Sequence, residues 1–246
     1  MKSQAGGSEP GEENSWVELT DWWLAELEGD PTYEELVTPL VKELTPVTDR
    51  PVVDLGCGEG RLMGALREMG NEAVGVDIDR GLLRRARAQG PVVRTELPQL
   101  SALSSGVFGG ALVCLVMEHI AEHRTLICEA ARVVVEGGFL VVVINHPIFT
   151  APESGPIVDS DGEMLWRPGE YFGSGWTDEP AGAGIVRFHH RPMSELLNAA
   201  AECGWSLDRL VEVGVTEQQI RRTPWLEDQR NIPRLMGARW TNASGR

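Results

Sequence analysis

The sequence predicts an α/β fold: a mostly parallel, seven-stranded sheet with helices on both faces and an insertion after the fifth strand. Three observations carry this. The strand-like runs are apolar throughout rather than alternating, as in strands covered on both faces. Segments of helical spacing separate them. The first run ends in a glycine-rich turn that leads straight into a helix.

Along the chain, Trp16, Leu19, Trp22, Trp23 and Leu27 recur at helical spacing, and Asp30-Pro31 breaks the run. Tyr33–Leu44 reads as a second helix, with Pro39 inside as a kink. Pro51–Leu55 is the first strand and Arg61–Met69 the helix after it. Ala73–Val76 is the second strand, ending at Asp77. Gly81–Ala88 is helical, and Val92–Arg94 is a short third strand. Ala111–Val116 is the fourth, Ala121–Val134 a helix stopped by Gly137-Gly138, and Phe139–Ile144 the fifth strand. Residues 146–192 are rich in Gly, Pro and aromatics and predict an irregular segment, which in a compact domain is usually functional. Met193–Cys203 then reads as a helix, with Leu207–Val213 and Leu235–Trp240 as the last two strands.

Composition narrows the function. At 246 residues and 42% hydrophobic, the chain can bury a sizeable core as one domain. Residues 1–15 are Gly/Ser/Glu-rich and read as a disordered tail, with one domain over 16–246. A net charge of −15 disfavours nucleic acid as a partner. The longest apolar run, Phe139–Ile144, is too short to span a bilayer, so no membrane association is expected. Cys57, Cys114, Cys128 and Cys203 form no CxxC pair and suggest no disulfide framework, which fits a cytoplasmic protein. The oligomeric state is left open.

The informative segment is Asp54-Leu55-Gly56-Cys57-Gly58-Glu59-Gly60. A strand runs into glycines that let a ligand approach the backbone, and the following helix N-terminus offers unpaired N–H groups. Asp77 ends the second strand, 21 residues after Gly56, the spacing at which an acid accepts hydrogen bonds from a ribose diol. The turn is GxGxG rather than the GxGxxG of nicotinamide and flavin sites, and no GxxxxGK[ST] loop is present.

With an acid before GxGxG, the strand-end Asp77, Met117-Glu118-His119 after the fourth strand, and Gly137-Gly138 before the fifth, the chain resembles the class I S-adenosylmethionine-dependent methyltransferases. The resemblance is close over about residues 50–145 and looser to about 240. It implies a Rossmann-like fold, S-adenosylmethionine as cofactor with S-adenosylhomocysteine as product, and a small-molecule acceptor. It departs from the family at Gly109, where an acid is common, and at Glu136 in place of a turn proline. Carried over position by position, Gly56, Cys57 and Gly58 would line the methionine end. Asp54 would order the turn or receive the amino group. Asp77 would hold the ribose, Ile78 would lie against the adenine with Glu96 beside it, and Leu97 and Cys114 would wall the pocket. For Ile78, Leu97 and Cys114, plain core packing explains the residues equally well.

Other residues admit two readings. His146, just past the fifth strand, and His190, at the end of the irregular segment, are the catalytic candidates, because ligands collect at strand C-terminal ends and a neutral imidazole accepts a proton. Alternatively both are structural. Two such histidines favour O-methylation, with N-methylation or a non-catalytic cofactor-binding module as alternatives. Arg191 is read as a clamp for a substrate carboxylate or a partner of a local acid. His119, Glu122 and His123 spell an H-x-x-E-H pattern, but no third ligand is evident and no metal is expected. The Trp-rich start over 16–45 is read as a helical lid, and 146–192 as a cover over the substrate whose Trp166, Tyr171, Phe172 and Trp176 suggest a planar or apolar acceptor.

Overall fold

The computed structural model describes residues 16, 18–29 and 31–243; the expected tail over 1–15 lies outside them. The chain opens with α1 (Thr20–Gly29), a π-helical turn over Tyr33–Val37 and α2 (Thr38–Leu44). Pro39 stands in the first turn of α2, where its missing N–H costs nothing, so the expected kink takes the form of a change of helix type. Then follow β1 (Val52–Leu55), α3 (Arg61–Glu68), β2 (Ala73–Asp77), α4 (Arg80–Ala86), β3 (Val92–Arg94), β4 (Phe108–Cys114), α5 (His123–Val133) and β5 (Val134–Asn145). β5 starts sooner than its apolar run suggests. The strand continues through Gly137-Gly138, with a register shift opposite Phe108 and Gly110.

The segment expected to be irregular is built of short regular pieces: α6 (Pro147–Thr150), a hairpin of β6 (Gly155–Val158) and β7 (Met164–Arg167), and a second of β8 (Gly175–Ala181) and β9 (Gly184–His190). α7 (Met193–Glu202), β10 (Trp205–Val213), α8 (Glu217–Arg222) and β11 (Leu235–Asn242) complete the chain. α8 carries a reciprocal cap between Thr216 and Gln219.

Seven strands form one sheet in the order β10-β11-β5-β4-β1-β2-β3. β11 runs antiparallel to both neighbours and the other pairings are parallel. Side chains alternate across the sheet. Leu140, Val142 and Ile144 of β5 join one core with α5 and α7, while Val141 and Val143 join the other with α2, α3 and α4. A third, smaller cluster packs Leu19 and Trp22 near α1 against Ala181, Val186 and Phe188 of the second hairpin. The N-terminal helix and the insertion thus pack on each other. No helix among the described residues is long and apolar enough to cross a membrane.

The cysteine reading needs correction. Cys128 of α5 and Cys203, just after α7, form a disulfide, with Cα atoms 4.9 Å apart. α5 and α7 pack side by side on one face, which brings together cysteines 75 residues apart. The argument for a reducing compartment from unpaired cysteines therefore falls away.

Candidate active site

The order of strands reverses between β1 and β4, because the chain leaves β1 for β2 and β3 and returns on the other side. Crevices at the strand C-terminal ends of such reversals are where ligands bind in these folds. A cavity of about 470 Å³ opens there. Asp54, Gly56, Cys57 and Gly58 line it from β1 and its turn, Asp77 and Ile78 from the end of β2, Glu96 and Leu97 from the loop after β3, and Cys114 from β4. All nine residues read from sequence as cofactor contacts thus share one cavity.

The turn is shaped for close approach. Gly56 has φ +85°, and a Cβ there would lie 2.4 Å from Val116 Cγ2, so no other residue fits. Gly58 also has positive φ, but a Cβ there would meet nothing within 4 Å. Asp77 holds the turn from below: its carboxylate accepts the N–H of Gly58 at 2.9 Å and of Asp79 at 2.8 Å. Burial raises its pKa, and those N–H groups oppose the rise. Asp54 is 2% exposed and its Oδ2 has no hydrogen-bond partner. Desolvation, with Asp77 and Glu59 nearby, pushes its carboxyl up to about 7. Burial also pushes the Cys57 and Cys114 thiols up, so both stand as neutral walls rather than nucleophiles.

At the exit of β4 the backbone is strained. Leu115 adopts φ +53°, a left-handed conformation that costs a branched residue about 1–2 kcal/mol. The Leu115 N–H donating to Val143 O at 2.8 Å holds it there. The turn that follows, Met117–His119, delivers His119 to the cavity, and Ile120, Ala121 and Glu122 continue the same wall. His119 Nδ1 lies 2.9 Å from the Arg187 carbonyl. A carbonyl only accepts, so Nδ1 carries the proton and Nε2 keeps its lone pair. The ring sits edge-on between Trp16 and Phe188, each centroid 4.7 Å away. Burial lowers its pKa to about 4, which keeps the imidazole neutral near pH 7.

The structure does not bring His146 and His190 to this cavity. His146 caps α6, with Nδ1 accepting the Ile148 N–H at 3.1 Å and Nε2 2.7 Å from Glu212 Oε1. His190, 1% exposed, sits between Thr150 Oγ1 at 3.0 Å and the Tyr171 carbonyl at 2.9 Å. The histidines that do line the cavity are His119 and His189. The available signal for His119 was its place directly after β4, at the same rim as the glycine turn. Of the aromatics, Trp16, Trp23 and Tyr33 line the cavity, whereas Phe172 is 92% exposed, Trp166 packs on Phe149 and Trp176 lies under Arg187. Within 146–192, His189 alone among the described residues reaches the cavity wall. Arg191 meets main-chain carbonyls rather than the cavity.

Comparison with known proteins gives the same frame. Residues 53–142 match a methyltransferase domain family. The ubiquinone biosynthesis O-methyltransferase of Ralstonia nicotianae is 28% identical over 158 residues, covering 59% of this chain and 66% of that protein. An uncharacterised methyltransferase of Mycobacterium bovis is 31% identical over 108 residues, 42% of this chain and 55% of that one. Matches thus span about half to two thirds of the length of the curated relatives. Among solved structures, an S-adenosylmethionine-dependent methyltransferase from Mesorhizobium loti superposes with TM-score 0.73 at 27% identity, covering 87% of this chain and 99% of that one.

Proposed function

The chain belongs to the class I S-adenosylmethionine-dependent methyltransferases, and from that premise we propose that it methylates a hydroxyl group of a small-molecule acceptor. The single observation that carries the reading is a neutral, half-buried His119 on the same cavity as the Asp54–Gly58 turn and Asp77.

Two features of the structure fit the cofactor. Asp54 Oδ2 is buried without a partner, as suits a carboxylate awaiting an ammonium group. The open space over Gly58 leaves the turn's backbone accessible. Asp54 and the turn would hold the methionine end, Asp77 the ribose hydroxyls, and Ile78, Leu97 and Glu96 the adenine. When bound, S-adenosylmethionine supplies an activated methyl group on a sulfonium. His119 would take the proton from the acceptor hydroxyl at Nε2, its Nδ1–H fixed on the Arg187 carbonyl. His119 is uncharged, so it does not repel a cationic cofactor. Trp16, Trp23 and Tyr33 form the lid side of the cavity and would exclude water, and His189 would complete the wall where the insertion closes over the acceptor. The relatives named as O-methyltransferases support oxygen as the methylated atom. The charge of the cofactor, which slows its unaided passage across membranes, supports a cytoplasmic site for the proposed activity.

Calorimetry tests the premise. S-adenosylhomocysteine should bind, with NAD and ATP much weaker, and Asp77→Ala should weaken binding at least tenfold by removing charge-assisted hydrogen bonds. Tight NAD binding without any for S-adenosylhomocysteine would refute it.

A further inference from the structure

We propose that Arg191 is the positioning residue of the acceptor wall: its buried guanidinium fixes the loop that carries His119 onto the strand that carries His189. The inference rests on the reading of His119 above and concerns a residue outside the cavity.

Arg191 is 7% exposed. Its hydrogen bonds run to main-chain oxygens of one short loop: Nη1 to Met117 O at 3.0 Å, and Nη2 to Ala121 O at 3.0 Å and to Ile120 O. A single turn over Met117–His119 leaves the carbonyls after it without helical partners. The planar fork of a guanidinium can serve several of them at once in a fixed geometry, which a lysine ammonium cannot. Burial works against its charge and Glu195, Glu118 and Glu122 offset it, while the imidazoles of His189 and His190 on β9 and His123 on α5 lie nearby. Arg191 therefore ties the backbone on both sides of His119 to the chain segment that follows His189.

Further ties run along the same seam. His119 Nδ1–H donates to Arg187 O at 2.9 Å, His123 Nε2 lies 3.5 Å from Glu195 Oε1, and Trp205 Nε1–H donates to Ile127 O at 3.1 Å. The Cys128–Cys203 bridge belongs to this seam as well. Residues 117–128 and 187–205 thus meet as one joint, and of these ties the Arg191 and His119 contacts touch the loop at the cavity. Loss of the guanidinium would free the loop to shift, and the first observable to change would be the His119 tautomer and its desolvation.

The test is nitrogen-15 spectroscopy of the His119 ring in Arg191→Lys and Arg191→Gln, with S-adenosylhomocysteine affinity measured in parallel. Wild type should show the Nδ1–H tautomer and titrate near 4. The Gln variant should show mixed tautomers and an apparent pKa at least one unit higher, towards 6.5, with lysine intermediate. Affinity for S-adenosylhomocysteine should stay within about twofold, because Asp54 and Asp77 lie on β1 and β2. A wild-type His119 spectrum in a folded Gln variant overturns the proposal, as does a spectral change that comes only with parallel loss of affinity. If His119→Gln leaves turnover intact while the Arg191 variants still shift the His119 spectrum, the base assignment fails and the positioning role stands. Should neither variant fold, nitrogen-15 spectroscopy of the Arg191 side chain in the wild type decides. Slow exchange of its Nη protons and hindered rotation of the guanidinium support the clamp, and solvent-like exchange with free rotation overturns it.

Discussion

Replacing Asp54 by asparagine should stabilise the ligand-free protein at alkaline pH while weakening its hold on the cofactor. In the folded chain the carboxyl is pushed from its ordinary 3.8 up to about 7, chiefly by desolvation. At about 1.4 kcal/mol per pH unit, the shift corresponds to about 4 kcal/mol. The folded state holds the proton more tightly than the unfolded chain. That stability is therefore fully present below pH 3.8 and is lost as pH rises through 7. About 3 kcal/mol of the loss falls between pH 5 and pH 8, and asparagine, which does not titrate, escapes it. An unpartnered amide at the same place costs about 1–3 kcal/mol at either pH. The stability of Asp54→Asn relative to wild type should thus rise by up to about 3 kcal/mol from pH 5 to pH 8, measured by urea unfolding. Glu118, also raised to about 7, is present in both proteins and cancels. Calorimetry at pH 8 should show S-adenosylhomocysteine affinity reduced roughly 10- to 100-fold, the worth of a charge-assisted hydrogen bond of about 1.5–3 kcal/mol. The same relative stability at both pH values, or an unchanged affinity, would refute the assignment of an ionised Asp54 awaiting a cation.

Three further outcomes follow from the site and the fold. His119→Gln should lower turnover about 10²- to 10⁴-fold with cofactor binding intact. At saturating cofactor the wild-type rate should be flat from pH 6 to 8 and fall only towards about pH 4, where the imidazole gains its proton; a limb near neutrality would point to another base. In contrast, His146→Ala and His190→Ala should lower the melting temperature and leave any surviving folded enzyme near wild-type rates. Reduction of Cys128–Cys203, or Cys203→Ser, should cost about 2–4 kcal/mol in urea unfolding, since the bridge closes a loop of 75 residues. An identical midpoint with and without reductant would show that the bridge contributes nothing.

The proposed cofactor side of the cavity was legible because backbone rules dictate it. A strand of buried residues, glycines at positive φ and an acid ending the next strand fix where Asp54, Gly56, Gly58 and Asp77 must lie. The acceptor side was not, and strand parity explains part of the reason. His189 and His190 are neighbours on β9, so their side chains leave opposite faces: one lines the cavity and the other turns to Thr150 and Tyr171. Chain proximity to a strand end names both and selects neither. His146 was diverted by its own cap on α6 and by Glu212 of β10, a partner 66 residues away. The two hairpins of the insertion were obscured because their strands are short and partly exposed, with no core periodicity to register. The disulfide depends on α5 and α7 packing side by side, which spacing alone does not encode.

Three uncomfortable groups of this molecule stand together. Asp54 Oδ2 is buried without a partner, Glu118 Oε2 likewise, and Leu115 holds a left-handed backbone. All three lie at the C-terminal ends of β1 and β4 or just past them, on either side of the point where strand order reverses. Each costs on the order of 1–4 kcal/mol in the ligand-free chain. They persist because the strands beneath them are fixed independently: β1 and β4 are buried along their whole length, and β5 supplies the Leu115 anchor at Val143 and the Asn145 amides that engage Glu118 Oε1. A rigid sheet therefore carries an unsatisfied rim. Relief at Asp54 is free energy available to a ligand that brings a cation there. Substitutions that relieve it without the ligand should stabilise the protein and blunt its binding together, which is the trade-off expected where function and stability compete for the same residues.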